Sequence, residues 1–127
     1  MAARHLDLIP EAMGICRLEA GRPIPAWSMK AGFFSVTGTS EELSVVCPEA
    51  SIPDGVVCSR GWRLFRVKGP LDFSETGVLA SLAGPLGRAG ISIFVVSTYD
   101  TDFLLVRSGQ LEAAVDVLRT AGHRVSN

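Results

Sequence analysis

Ser97-Thr98-Tyr99-Asp100-Thr101-Asp102-Phe103-Leu104-Leu105-Val106 follows directly on the apolar run Ile91 to Val96. Two β-rich runs meet at a short polar turn that ends in a carboxylate. The pattern reads as a hairpin, with Asp102 at the start of its second strand. A carboxylate there either faces a ligand groove or ties the turn as an Asx-type contact. Asp100 reads as a solvent-facing turn residue.

The flanks of this hairpin are regular. Trp62 to Lys68 is strand-like, and Gly69-Pro70-Leu71-Asp72-Phe73 is a loop. Ser74 is placed as a helix N-cap, with Glu75 at the positive end of the helix dipole. Val78, Leu79, Leu82 and Leu86 recur at helical spacing and should pack on a sheet. Gly84-Pro85 conflicts with that helix, since a proline in a helix interior costs about 3 kcal/mol. A kink or two short helices is expected. Gly90 ends the element as a C-cap. After the hairpin, Leu111, Ala114, Val115 and Leu118 form an amphipathic helix that Gly122 stops, and His123-Arg124-Val125 is a short last strand. The order is β-α-β-β-α-β. Two helices on one face of a four-stranded antiparallel sheet make an α+β, ferredoxin-like arrangement.

The first sixty residues are β-rich and broken. Gly14 to Glu19 is a short strand, Gly21 to Pro25 a loop, and Ala26 to Lys30 a short helix. Phe33 to Thr37 and Leu43 to Cys47 make a second hairpin around the turn Gly38 to Glu42. Pro48 to Gly55 is a loop.

Composition narrows the function classes. The chain has 127 residues, 47% of them apolar, with 12 basic and 13 acidic side chains and net charge −1. A packed core is expected, and no long-range field draws the protein to nucleic acid or an anionic membrane. Arg60, Arg63, Arg66 and Lys68 around Trp62 and Phe65 read as a solvated strand face rather than a nucleic-acid patch. Cys16, Cys47 and Cys58 are odd in number and unpatterned, and His5 and His123 lie near opposite ends. No metal site and no disulfide scaffold is expected, only reduced thiols. Asp7, Pro10 and Glu11 interrupt any signal-peptide core, and no run reaches the ~18 apolar residues of a membrane helix. These features imply a soluble, cytoplasmic protein. No nucleophile–base pair and no GxGxxG, P-loop, HExxH or GxSxG motif occurs, so neither catalytic residues nor a cofactor are expected.

The motifs resemble those of the ACT domain, the small-molecule-sensing version of the ferredoxin-like fold. Phe33-Phe34-Ser35-Val36-Thr37 with Glu41-Glu42 is similar to the first module of the tandem-ACT subfamily. That group includes short bacterial proteins and the eukaryotic cytosolic arginine sensors. Gly90-Ile91-Ser92-Ile93 and Ser97 to Phe103 resemble its second module. The similarity covers roughly residues 13 to 125. It implies a smaller, degenerate ACT-like module over 1–60 and an ACT domain over 61–127. It also implies amino-acid binding at an interface between ACT modules or subunits, without catalysis. Carried over residue by residue, the ligand-binding positions are Asp72, Phe73, Ser74, Glu75, Thr76 and Gly77 in the loop. Ser92, Ile93 and Asp102 are the strand and hairpin positions. Only one clear second-type module is present, so a sensor-like site implies two chains, hence a homodimer, with a protein partner downstream. The chemistry is compatible. Backbone N–H groups near Ser74 to Gly77 suit a carboxylate, and Asp72, Glu75 or Asp102 suits an ammonium group. The alternative is a ligand-free dimerisation or interaction module without catalytic activity.

Overall fold

A computed structural model describes residues 3–30 and 32–127. The elements are β1 (His5–Leu18), β2 (Ser35–Gly38), β3 (Leu43–Pro48), β4 (Cys58–Val67), α1 (Val78–Arg88), β5 (Ile93–Ser97), β6 (Asp102–Arg107), α2 (Leu111–Thr120) and β7 (Arg124–Ser126). By internal contacts the chain divides into two compact units, residues 11–62 and residues 3–10 with 63–127.

The unit of residues 3–10 and 63–127 runs β4-α1-β5-β6-α2-β7, the expected β-α-β-β-α-β order. Its strands lie in the order β7-β1-β4-β6-β5. Phe65, Val67, Leu104 and Val106 present one apolar face, and Leu82, Leu86 and Leu118 of the two helices are buried against it. Each such leucine contributes about 1.5–3 kcal/mol on leaving water. The fold is ferredoxin-like with one strand more than expected. The start of β1 lies between β4 and β7, pairing in parallel with β7 through His5↔Arg124, Leu6↔Val125 and Asp7↔Ser126. Leu6 is fully buried in the core. The strand expected from Gly14 begins nine residues earlier, at His5. In the fold Pro10 lies outside the stretches paired with β7 and with β3, so its missing N–H costs neither ladder a hydrogen bond.

Helix α1 departs from expectation at its start. It begins at Val78, one turn later than a Ser74 cap requires, and Gly77 precedes it with φ of 78°. That left-handed conformation suits a residue with no Cβ. Pro85 sits inside a single helix rather than between two short ones. The proline removes the N–H that would bond the Ser81 carbonyl. His123 Nε2 takes that carbonyl instead, at 3.1 Å. Its Nδ1 accepts the Arg4 N–H at 3.0 Å, so the ring proton is on Nε2. His123, expected at the start of the last strand, is therefore a buried bridge. Leu79, expected on the packed face, is partly exposed. Both helices end as their glycines predict. Ile91 N–H bonds Leu86 O and Gly90 N–H bonds Gly87 O, and His123 and Gly122 repeat the pattern on Leu118 and Arg119.

The unit of residues 11–62 orders its strands β2-β3-β1-β4. β3 pairs antiparallel with both β2 and β1. Thr39 closes the β2–β3 turn, its Oγ1 accepting the N–H groups of Glu41 and Glu42. A helical turn at Ala26–Met29 matches the short helix expected there. Cys16 and Cys47 are free thiols in the apolar cluster with Leu43, Val45 and Ile52. Burial pushes Cys16 up to about 12, so this thiol is held neutral.

Candidate ligand site

The loop between β4 and α1 and the β5–β6 turn form two walls of one cavity. The β5–β6 ladder pairs Ser97 with Asp102, leaving Thr98 to Thr101 as the turn. Thr98 N–H bonds Thr101 O at 2.8 Å. Thr101 N–H donates to Thr98 Oγ1, while Thr101 Oγ1 reaches back to Val67 O at 2.6 Å. The turn is thereby anchored to β4. Leu71 N–H donates to Asp100 O at 2.7 Å and ties the loop to the turn. A Cβ on Gly69 would stand 3.0 Å from Asp100 O, tighter than an ordinary contact, so glycine suits this close approach of loop and turn.

The loop organises itself around its two carboxylates. Ser74 N–H donates to Asp72 Oδ1 at 3.0 Å and Glu75 N–H to Asp72 O at 2.9 Å. Asp72 N–H donates to Glu75 Oε1 at 3.1 Å, and Arg4 Nη2 holds Glu75 Oε2 at 2.9 Å. Both carboxyls are held below the ordinary carboxylate range. For Asp72 the main cause is the Ser74 backbone N–H; for Glu75 it is the Asp72 N–H, with Arg4 next.

The cavity has a volume of about 330 Å³, bounded by the loop, the first turn of α1 and the hairpin turn. Phe73 from the loop and Tyr99 from the turn both line it, edge to face with ring centroids 4.8 Å apart. They are 74% and 80% exposed, unusual for such large aromatic rings. Val78, Leu79 and Ala80, the first turn of α1, line one wall; the amides of a first turn have no acceptor within the helix. Asp100 and Asp102 lie on the other. Asp102 Oδ1 accepts the Ser97 hydroxyl at 2.7 Å, so this carboxylate both ties the hairpin and faces the cavity.

Among the positions expected to bind a ligand, the structure brings Asp72, Phe73, Glu75, Gly77 and Asp102 together. Ser74 and Thr76 are exposed on the loop and do not line the cavity; the amide of Ser74 is spent on Asp72. Ser92 is exposed at the far end of β5, and Ile93 packs against the core. Sequence reading missed Val78 to Ala80, because it started the helix a turn too early. It treated Thr98 to Thr101 as motif rather than lining, and it passed over Arg4, which only the fold brings to Glu75. Elsewhere, His5 Nε2 meets both Ser126 Oγ at 2.7 Å and Asp7 Oδ1 at 3.6 Å. One nitrogen serving both partners cannot relay a proton between them. Among the described residues no group of three or more His, Cys, Asp or Glu is placed to hold a metal.

A family model for the ACT domain matches residues 57–120. The chain belongs to the ACT domain family. A second family model, for an N-terminal domain, matches residues 11–55 of this ACT domain protein. The crystal structure of protein Atu0741 from Agobacterium tumefaciens is 46% identical, covers 98% of this chain and 93% of that one, and superposes with a TM-score of 0.94. The rat protein named cytosolic arginine sensor for mTORC1 subunit 1 is 28% identical over 102 residues, which are 76% of this chain. The chain spans 29% of that relative's length. The ligand-free regulatory subunit of aspartate kinase from Thermus thermophilus shares the fold, at 11% identity and a TM-score of 0.67 over 95% of this chain and 99% of that one. The ferredoxin-like ACT reading of the motifs is thus borne out. No described helix is long and apolar enough to cross a membrane.

Proposed function

We propose that this ACT domain protein is a non-enzymatic regulatory protein that holds a free amino acid in the loop–hairpin cavity. The observation that carries the reading is the polarity of that cavity. First-turn amides of α1 on one wall suit an α-carboxylate, and Asp100 and Asp102 on the other suit an ammonium or a cationic side chain. Its volume falls within the range of small-ligand sites. The described lining residues include no Cys, His or Lys, and their chemistry is that of binding. The similarity to a protein named as an arginine sensor supports the same ligand class.

A second copy completes the site in this reading. β5 ends the strand order, and its residues Ile93 to Ser97 carry no charge. Such an edge is a template for pairing. Ser92 and the backbone of Ile93, which do not line their own cavity, are then offered to the partner's cavity, at the strand positions the family resemblance implies. Occupancy shifts the balance between arrangements of the dimer and is read by a protein partner in the cytoplasm.

Thermal shift and titration calorimetry with the twenty amino acids, tested singly, check this. A ligand at ten times its dissociation constant adds ~1.4 kcal/mol of stability. Failure of all twenty at millimolar concentration would leave the interaction-module reading, which the exposed Phe73–Tyr99 pair favours.

A further inference from the structure

Arg4 reaches the cavity wall from outside every motif in the sequence. Its backbone is held on both sides, the N–H by His123 Nδ1 at 3.0 Å and the carbonyl by Arg124 N–H at 2.8 Å. His123 is itself fixed through Ser81 O, the carbonyl that Pro85 leaves free. The Arg4 side chain then meets Glu75 Oε2 at 2.9 Å, with the two side chains only 23% and 34% exposed. The other Glu75 oxygen is occupied by the Asp72 N–H, and the Glu75 N–H closes onto Asp72 O. An unbroken line of hydrogen bonds thus runs from the interior of α1, through His123 and Arg4, to the two loop residues that line the cavity.

We infer that Arg4 is a positioning residue for the loop wall. It neutralises Glu75 and holds that carboxylate within the loop, so the carboxylate oxygens left to read a ligand's cationic group are those of Asp102 and Asp100 on the hairpin and the second oxygen of Asp72. This rests on the amino-acid reading of the cavity for its ligand. The geometry of the loop itself stands apart from that reading. Glu75 has both oxygens engaged, by the Asp72 N–H and by Arg4, whereas Asp102 has one oxygen on the Ser97 hydroxyl and Asp72 one on the Ser74 N–H. Arginine suits the task, because a guanidinium reaches from the residue before β1 to a carboxylate with fixed geometry.

Two measurements on Arg4→Gln, Arg4→Lys, Glu75→Gln and the Arg4→Gln/Glu75→Gln double variant test the inference. The first is amide hydrogen exchange without ligand. Residues 72–77 should exchange several-fold faster in both single Gln variants, with Arg4→Lys closer to wild type and with α1 and α2 unchanged. Wild-type exchange of the loop in Arg4→Gln, or equal acceleration of the whole unit, would overturn it. The second is titration with each amino acid that shifts the wild-type melting temperature. Arg4→Gln and Glu75→Gln should each weaken binding by about three- to fivefold, the scale of a partly exposed ion pair. The double variant should be no weaker than either single one. Additive losses, or a loss above about tenfold confined to Glu75→Gln, would make Glu75 a ligand contact and sink the inference. If no amino acid shifts the wild type, the ligand reading fails while the exchange result still decides the role of Arg4.

Discussion

Pro85 and His123 solve each other's problem. The proline removes a helix donor, and the buried imidazole supplies one to the stranded Ser81 carbonyl. Truncating His123→Ala leaves that carbonyl and the Arg4 N–H without their partner. Each unpaired buried group costs about 1–3 kcal/mol, so the variant should lose about 2–6 kcal/mol in denaturant unfolding. A loss below about 0.5 kcal/mol would contradict the bridge. Neither residue announced this in the sequence. Pro85 reads as a kink or a gap between two short helices and His123 as the start of the last strand, because the contact joins residues 42 apart in the chain. Asp102 was legible as far as its chemistry went. Turn contact and groove carboxylate were the two readings, and the structure supplies an observation for each: the Ser97 hydroxyl bond and the cavity lining.

At the scale of elements, the hairpin and both helix stops were readable because local chemistry decides them. A polar turn between β-rich runs makes the hairpin, and glycine ends each helix. The start of α1 was not readable. Ser74 has the composition of a cap, but Asp72 captures its amide first, and the loop closes as its own turn before Gly77 redirects the chain. That loop carries a pH prediction. Asp72 and Glu75 both have carboxyls lowered in the folded state. A lowered carboxyl stabilises the fold above its unfolded value, and that contribution is lost as pH falls through the folded one. Residues 72–77 should therefore loosen below the ordinary carboxylate range of about 4. Limited proteolysis or fast-quench exchange should locate the change there. Loosening that begins instead at neutral pH would contradict the assignment.

At the scale of the whole molecule, the β-α-β-β-α-β order was visible from Trp62 onward, yet it is not self-sufficient. Leu6 and its strand come from the opposite end of the chain and lie between β4 and β7. A fragment of residues 61–127 lacks that strand and exposes the core it covers. It should show no cooperative unfolding by circular dichroism, and adding residues 3–10 as a peptide should restore structure. Cooperative unfolding of the bare fragment would show that the inserted strand is dispensable. The proposed function turns on a free amino acid held in the loop–hairpin cavity by the hairpin carboxylate. The most direct test is a thermal-shift titration of wild type and Asp102→Asn with each of the twenty amino acids. At least one should raise the wild-type melting temperature in a dose-dependent way, and Asp102→Asn, folded with near-wild-type stability, should weaken that response by about tenfold or more, the loss expected for a charge-assisted hydrogen bond. An equal response in both proteins, or none in the wild type at millimolar ligand, would contradict it.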